Sequence, residues 1–349
     1  MTPPEDKATN GAPSPRVAVV IPNWNGLRFL GPCLNSLRWQ SFQDFELLLV
    51  DNGSTDGSLN FVAGNFPEVR AISLEENRGF SGAVNAGIRA SQAEFVALLN
   101  NDTEQDPGWL SSLVRAAEAH PEAGSFASKL VDFHDRAVLD GAGDALRRGG
   151  LPYRIGHGER DRGQYDTPTH VFGACAAAAL YRRELLDGVG LFDENFFAYC
   201  EDADLSFRAQ LAGYRCLYVP DAVVYHVGSA STGGKRSPLA TRLGTRNSLS
   251  LLVKNLPASL VWRILPFVVA GQIARLIFKT ASGGGGPHLR GLAEAAWSLP
   301  RTLRKRREIQ KRRRVSDGYL RWLLRESARS ATVSLARQSW DKLLTRLGR

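Results

Sequence analysis

The sequence predicts an α/β protein built on a mostly parallel sheet covered by helices on both faces. Three observations predict it. Apolar strand-like runs alternate with helix-period segments from residue 17 to residue 99, in the order β-α-β-α-β-α-β, which implies right-handed crossovers and parallel pairing. Carboxylates stand where hydrophobic stretches should end, at Asp51, at Asp102 and at Glu201 with Asp202. Strand ends of an open parallel sheet converge on one ligand crevice, so this placement suits the handling of a nucleotide diphosphate. Finally, Pro22-Asn-Trp-Asn-Gly26 follows the first strand where a dinucleotide dehydrogenase would carry G-x-G-x-x-G.

The elements follow in order. Residues 17–21 read as a buried strand, 27–39 as a helix, 45–50 as a strand and 57–65 as a second helix. Strand 69–74, a small-residue helix over 81–90 and strand 95–99 complete the alternation. Pro107 is expected to begin the next helix, three acids at 201–204 to start another, and 216–219 to form a strand just ahead of Tyr225-His226. The small residues at 173–179 fit either a cleft lining or a tightly packed strand.

With 349 residues, 43% hydrophobic and 23% charged, the chain exceeds one ordinary domain. The expected organisation is a floppy tail over 1–15, a catalytic domain over 16–240, and a helical, amphipathic and basic membrane-associating region over 241–349. The tail lacks the apolar core of a signal peptide. The four cysteines show no C-x-x-C spacing, so neither a zinc knuckle nor a disulfide framework is expected, and a reducing cytosol is the default.

The net charge of +9 is local: nine Lys or Arg lie between Arg301 and Arg314 against the single Glu308. A basic run binds nucleic acid, rests on anionic lipid, or is merely solvated. Its neighbours favour lipid. Residues 256–278 are strongly apolar and carry Trp262, Phe267 and Phe278, but Arg263, Pro266, Gln272 and Arg275 interrupt them. A central Arg costs roughly 2.5 to 3.5 kcal/mol in a bilayer span, which favours a helix lying in the interface over one that crosses. A Gly-rich hinge at 283–286 then leads to the basic run and to a further apolar-cationic stretch at 319–325. A helical hairpin packed on the catalytic domain is the plainer account.

Each motif has two readings. Asp51 opens Asp51-Asn-Gly-Ser-Thr-Asp-Gly57, where a carboxylate grips a nucleotide base or ribose, or Asp51 and Asp56 only cap the next helix. Glu76-Asn-Arg-Gly-Phe80, ahead of Asn85, offers backbone N–H groups and Arg78 to the same ligand, or marks close packing. Asn100-Asn-Asp102 supplies one carboxylate to Mg²⁺ or Mn²⁺, or forms a turn. Glu201, Asp202 and Asp204 favour the helix dipole, yet the aromatic run before them resembles a pocket wall, and a carboxylate aimed at a hydroxyl serves as general base. His226 presents imidazole to metal or phosphate, or is structural.

Taken as an ordered set, Val20-Ile-Pro-Asn-Trp-Asn25, Val50-Asp-Asn-Gly-Ser-Thr-Asp56, Asn77-Arg-Gly-Phe80 with Asn85, Leu98-Leu-Asn-Asn-Asp102, Glu201-Asp202 and His226 closely resemble family 2 glycosyltransferases. Within that family the chain looks most like bacterial rhamnosyltransferases of cell-wall and O-antigen assembly. The resemblance implies a GT-A fold and an inverting transfer from a nucleotide sugar, over about residues 16 to 250. By position it implies nucleotide-sugar contacts from Pro22, Asn23, Asn25, Asp51, Asn77, Arg78, Asn85 and Asn101. It places Asp102 and His226 at a divalent metal, Mg²⁺ or Mn²⁺, with Asp202 as the base and Glu201 as its neighbour. Asn100 stands where the first acid of the D-x-D element belongs.

These groups suit a single displacement, in which one base takes the acceptor's proton while a metal neutralises charge on the departing diphosphate. A retaining route needs a second nucleophile, for which the sequence offers no candidate. The expected partners are a nucleotide-sugar donor, dTDP-rhamnose first and UDP-N-acetylglucosamine or UDP-galactofuranose as alternatives, a lipid-linked or glycan acceptor, and an anionic membrane surface. No nucleic acid is expected, because RNA binding through the basic run leaves the acid series without a role. A non-catalytic sugar-nucleotide-binding protein is the other alternative. The expected location is the cytoplasmic face of the inner membrane, peripherally bound.

Overall fold

The computed structural model describes residues 14–228, 237–281 and 285–347, with side chains described up to residue 342. The expected tail therefore falls, up to residue 13, outside the described residues, as do Gly283 and Gly284 of the expected hinge.

The first half alternates as its periodicity dictates: β1 (Val17–Asn23), α1 (Leu27–Arg38), β2 (Phe45–Asp51), α2 (Ser58–Asn65), β3 (Val69–Ser73), α3 (Gly79–Arg89) and β4 (Phe95–Leu99). Neighbouring strands here pair in parallel. Side chains of alternate parity enter separate apolar clusters, Val17, Val19 and Ile21 in one, Ala18 and Val20 in the other. A sheet buried on both faces in this way requires continuous apolar strands. Helix α3 approaches the sheet through Gly87, where a Cβ would lie 2.4 Å from Val20. That helix begins two residues earlier than its small-residue run suggests, because Gly79 at φ 72 makes the turn into it.

Next come β5 (Thr103–Gln105), α4 (Trp109–Ala119), β6 (Ala123–Asp132), β7 (Leu139–Ala142), β8 (Asp144–Leu146), β9 (Pro152–Arg154), β10 (Thr169–Val171), β11 (Ala178–Arg182), α5 (Arg183–Val189), α6 (Glu201–Ala212) and β12 (Arg215–His226). Helix α4 starts two residues beyond Pro107, capped by a turn in which Asp106 accepts from the Gly108 amide. The main sheet runs β10-β12-β6-β11-β4-β1-β2-β3. Strand β11 lies antiparallel between β4 and β6, so the sheet is mixed at its centre. Strand β12 extends well past the expected end at Val219. Its Pro220, which cannot donate to a ladder, falls within the register shift between Val219 and Val223, so pairing resumes and ends at His226.

Five helices follow: α7 (Pro238–Asn255), α8 (Ala258–Ala281), α9 (Gly285–Trp297), α10 (Leu299–Lys311) and α11 (Asp317–Leu347). Gly285 and Gly286, expected in a hinge, instead open α9. Residues Leu251, Leu252, Leu256, Leu260 and Leu320 of these helices share a core with Phe196 and Phe207. Helix α8 is the one described helix long and apolar enough to cross a membrane by length and composition, and only 6% of its most apolar window is buried. Trp262, Phe267, Ile273, Ile277 and Phe278 stand exposed on it.

Candidate active site

The ends of β1 and β2 lie side by side, with Asn23 in register with Asp51. Asn23 donates to Asp51 Oδ1 at 3.0 Å and accepts from Asn101 at 2.7 Å, while Asp51 Oδ2 accepts from the Ser54 amide at 3.0 Å. Asp51 is 1% exposed, and as a carboxylate it keeps acceptor capacity beyond these two bonds. Pro22 precedes this pair within β1. Asn25 adopts φ 48 and accepts from the Thr55 amide at 2.8 Å, tying the two turns together. Gly26 must lack a side chain, because a Cβ there would meet Asn101 at 2.1 Å.

Asn77 accepts from Asn52 at 3.0 Å and from the Gly79 amide at 2.9 Å, while Asn52 Oδ1 receives the Arg78 amide at 2.8 Å. The Arg78 side chain is exposed at this rim. Asn85 is differently employed. It is buried, donates to the Phe192 carbonyl and to Glu194, and accepts from the Phe192 amide. Its amide thus braces the 192–194 turn, with both hydrogen-bonding ends engaged.

The second group forms where β4 ends. Pairing of β12 with β5 sets His226 opposite Thr103, which brings His226 Nε2 within 3.4 Å of Asp102 Oδ1. Asp102 Oδ2 also accepts from the Gly228 amide at 3.1 Å. His226 Nδ1 lies 2.7 Å from Asp140 Oδ2, which directs Nε2 toward Asp102 and Asn100. A carboxylate on the far ring nitrogen is the usual support for a metal-ligating imidazole. Burial lowers the His226 pKa, but Asp102 and Asp140 outweigh it and raise the group overall. Burial also disfavours charge on Asp102, and the hydrogen bond and charge of His226 reverse this to hold it low.

Asp140 was not foreseen. It pairs with Arg154 Nη1 at 2.5 Å and with His157 at 3.0 Å, and despite burial these partners keep it ionised far below the usual carboxylate range. Arg154 continues the chain, with Nη2 2.7 Å from Cys175 Sγ. The donor atoms of Cys175, Asp144 and Asp202 lie within 4.8 Å of one another. The β8–β9 register places Asp144 opposite Arg154, and a hydrogen bond from the Asp144 amide to the Gly173 carbonyl at 2.8 Å brings Asp144 beside the 173–177 segment. Burial and the nearby Asp202 push Asp144 up to about 8. Burial also pushes the Cys175 thiol up, and Arg154 serves this acidic corner as counterion.

Asp202 sits in the first turn of α6, where its own helix amide at Ala203 donates to it at 2.7 Å. Burial raises its pKa. Glu201 is buried with Oε2 lacking a partner among the described residues, and burial beside Asp202 raises it well above its ordinary value. Asp204 serves a different end: it binds Arg208 at 2.9 Å and Lys254 at 2.7 Å, locking α6 to α7.

Ahead of these acids the backbone is strained. Phe197, Tyr199 and Cys200 all have positive φ, at 63, 70 and 67, each costing of order 1–3 kcal/mol. Helix α7 holds this loop. The Asn247 amide reaches the carbonyls of Phe196, Ala198 and Tyr199 at 2.9, 2.8 and 2.8 Å. The loop also touches the first group, because a Cβ at Gly79 would lie 2.4 Å from the Phe197 carbonyl oxygen.

Asp102 and Asp202 therefore lie at the two ends of one cluster of polar side chains, through His226, Asp140, Arg154 and Cys175. For a divalent cation the fit is good at Asp102 and His226: an oxygen and an imidazole nitrogen converge, and Asp140 fixes the ring. Sequence reading missed Asp140, Asp144, Arg154, Cys175 and Asn247. The acids flanking Gly141-Ala-Gly143 were the available signal for the first two.

A mixed sheet with such a crevice at its strand ends defines a GT-A fold. Solved structures share it: a Pyrobaculum calidifontis mannosyltransferase in complex with GDP-Man and Mn²⁺ matches at TM-score 0.52 and 18% identity, covering 96% of this chain and 91% of that one. GalNAc-T7 with UDP, GalNAc and Mn²⁺ matches at TM-score 0.56 and 15% identity, over 72% of this chain and 51% of that one. In sequence, the profile of glycosyl transferase family 2 matches residues 18–190. An N-acetylglucosaminyl-diphospho-decaprenol L-rhamnosyltransferase of Mycobacterium tuberculosis is 32% identical over 225 residues, 57% of this chain and 72% of the relative. The O-antigen biosynthesis protein RfbC of Myxococcus xanthus is 28% identical over 65% of this chain and 18% of its own length. The chain belongs to glycosyltransferase family 2.

Proposed function

We propose that this glycosyltransferase is inverting and metal-dependent, and that it moves a sugar, L-rhamnose from dTDP-rhamnose first, onto a hydroxyl of a polyprenyl-linked glycan. The observation that carries the reading is the series of polar side chains from Asp102 through His226, Asp140 and Arg154 to Cys175, whose donor atom lies within 4.8 Å of that of Asp202. Asp51, Asn23, Asn25, Pro22, Asn77, Arg78 and Asn101 form the wall on which the nucleotide sugar rests, while Asn85, expected there too, braces the 192–194 turn instead. Asp102 and His226 would hold the cation, Mg²⁺ or Mn²⁺, which when bound would neutralise charge on the donor diphosphate as it leaves. Asp202 accepts the acceptor's hydroxyl proton as that oxygen attacks the anomeric carbon. Its raised pKa brings the base nearer the working pH, and Glu201 and Asp144 withhold further negative charge from the same spot by keeping their protons.

The donor preference is supported by the mycobacterial relative, an L-rhamnosyltransferase; a UDP-hexose is the alternative. Asp202→Asn is expected to lower kcat by about 10² to 10⁴ while donor-nucleotide binding, followed by calorimetry, stays within a few-fold of wild type. Unchanged turnover would remove Asp202 from the base role.

The membrane is the proposed workplace, on the cytoplasmic face of the inner membrane and without a span. Exposed Trp262, Phe267 and Phe278 on α8 form an apolar surface suited to lie among headgroups. Substituting Ser at all three should release the protein from phosphatidylglycerol-containing vesicles in a sedimentation assay. Retention equal to wild type speaks against α8 as the contact.

A further inference from the structure

The basic run does not simply face solvent. Behind α5 and α6, at the opposite end of α6 from Asp202, lies a cavity of about 740 Å³ walled by the end of α10 and the turn after it. Eight cationic side chains line it against three carboxylates, a surplus of five. The carboxylates are already taken. Asp193 holds Lys254 at 2.6 Å and Lys305 at 2.5 Å, Glu194 pairs with Arg89 at 3.4 Å, and Glu308 pairs with Lys311 at 3.4 Å. Arg313 is held by Asp317. Among the described residues, Arg312 and Arg314 have no carboxylate partner, although both line the cavity. The turn presenting them is fixed, since the Arg314 amide donates to the Leu211 carbonyl at 2.9 Å.

The walls between the cations are apolar: Val189, Leu191, Leu211 and Ile309. A cationic rim over such walls matches a phosphate ester attached to hydrocarbon better than it matches a free ion, and the volume suits one headgroup, not a nucleic-acid strand. We propose that this cavity binds the phosphate of an anionic phospholipid, through Arg312 and Arg314. The proposal rests on the membrane reading above and sharpens it from a diffuse charge effect to a defined site.

The two accounts predict different things of equal charge changes. Diffuse attraction is worth about fivefold in affinity for each Lys or Arg near an anionic leaflet, wherever it stands. Arg304 and Arg307 are exposed on the same helix and lie outside the cavity lining. Full-length wild type, Arg312→Gln/Arg314→Gln and Arg304→Gln/Arg307→Gln would be titrated with phosphatidylcholine vesicles, with and without phosphatidylglycerol, and calorimetrically with dihexanoyl-phosphatidylglycerol and with inorganic phosphate. The expected result is that the cavity pair loses at least about tenfold more vesicle affinity than the control pair, that only the cavity pair loses the short-chain lipid, and that Arg312→Lys/Arg314→Lys binds like wild type. Equal losses from both pairs overturn the cavity and leave membrane binding intact. Inorganic phosphate bound as tightly as the short-chain lipid overturns the lipid assignment. Wild type indifferent to phosphatidylglycerol overturns this proposal and the membrane reading together, without touching glycosyl transfer.

Discussion

The turns after β1, β2, β3 and β4 are stitched by neutral amides: Asn23, Asn25, Asn52, Asn77 and Asn101 bond to one another or to nearby backbone. The other side, from Asp140 to Lys254, is held by buried charges and by backbone kept in unfavourable conformations. Neutral amides lose little when a ligand rearranges them, since each net bond is worth about 1 kcal/mol. Buried charges tolerate no such exchange, because an ion left alone in the interior is far costlier than the pair was worth. The cluster thus joins an adaptable wall to a rigid one, which is what the proposed roles ask of them: a donor that enters and leaves on one side, a base held in place on the other.

Substitutions can break this contrast. The largest effect is expected from Lys254→Met, which takes a cationic partner from both Asp204 and Asp193 and leaves them Arg208 and Lys305 alone: about 3–5 kcal/mol of stability lost in chemical denaturation. On the amide side, Asn23→Ala leaves Asp51 and Asn101 each short of a partner and should cost about 1–3 kcal/mol by the same measurement. An Asn23 loss exceeding that at Lys254 would erase the distinction between the walls.

Asp144 sharpens it through pH. Its folded pKa of about 8 exceeds the ordinary 3.8, so the folded state binds the proton more tightly and stability falls as pH climbs from about 4 to about 8. Asp144→Asn abolishes that titration. The melting temperature of the variant relative to wild type should therefore rise between pH 5 and pH 8, and a difference flat across that window would mean that Asp144 is already ionised in the fold.

The same contrast explains what could be read from the chain. The alternation from β1 to β4, and the ligand-facing turns at 51–57 and 77–80, are local. Apolar period sets each element, and glycine or asparagine marks the turn that follows. Strand β12 was cut short at Val219 because Pro220 reads as a stop, and only pairing with β6 and β5 on either side of the bulge carries it on to His226. Asp140 and Arg154 carry no periodic signature. They matter through the antiparallel β6–β7 and β8–β9 pairings, which no short window of sequence contains. The three acids at 201–204 looked alike, yet burial against Lys254 made one a strut, while proximity to Asp144 and Cys175 set another in the crevice.

Gly79 links the walls physically. With the Phe197 oxygen where its side chain would be, and the Ser81 amide 3.3 Å from that oxygen, the opening of α3 and the bend leading to Asp202 occupy adjoining space. A larger residue at 79 would displace not its own segment alone but its neighbour across the gap. An error written at the start of α3 would then surface far along the chain, in the bend that sets Asp202.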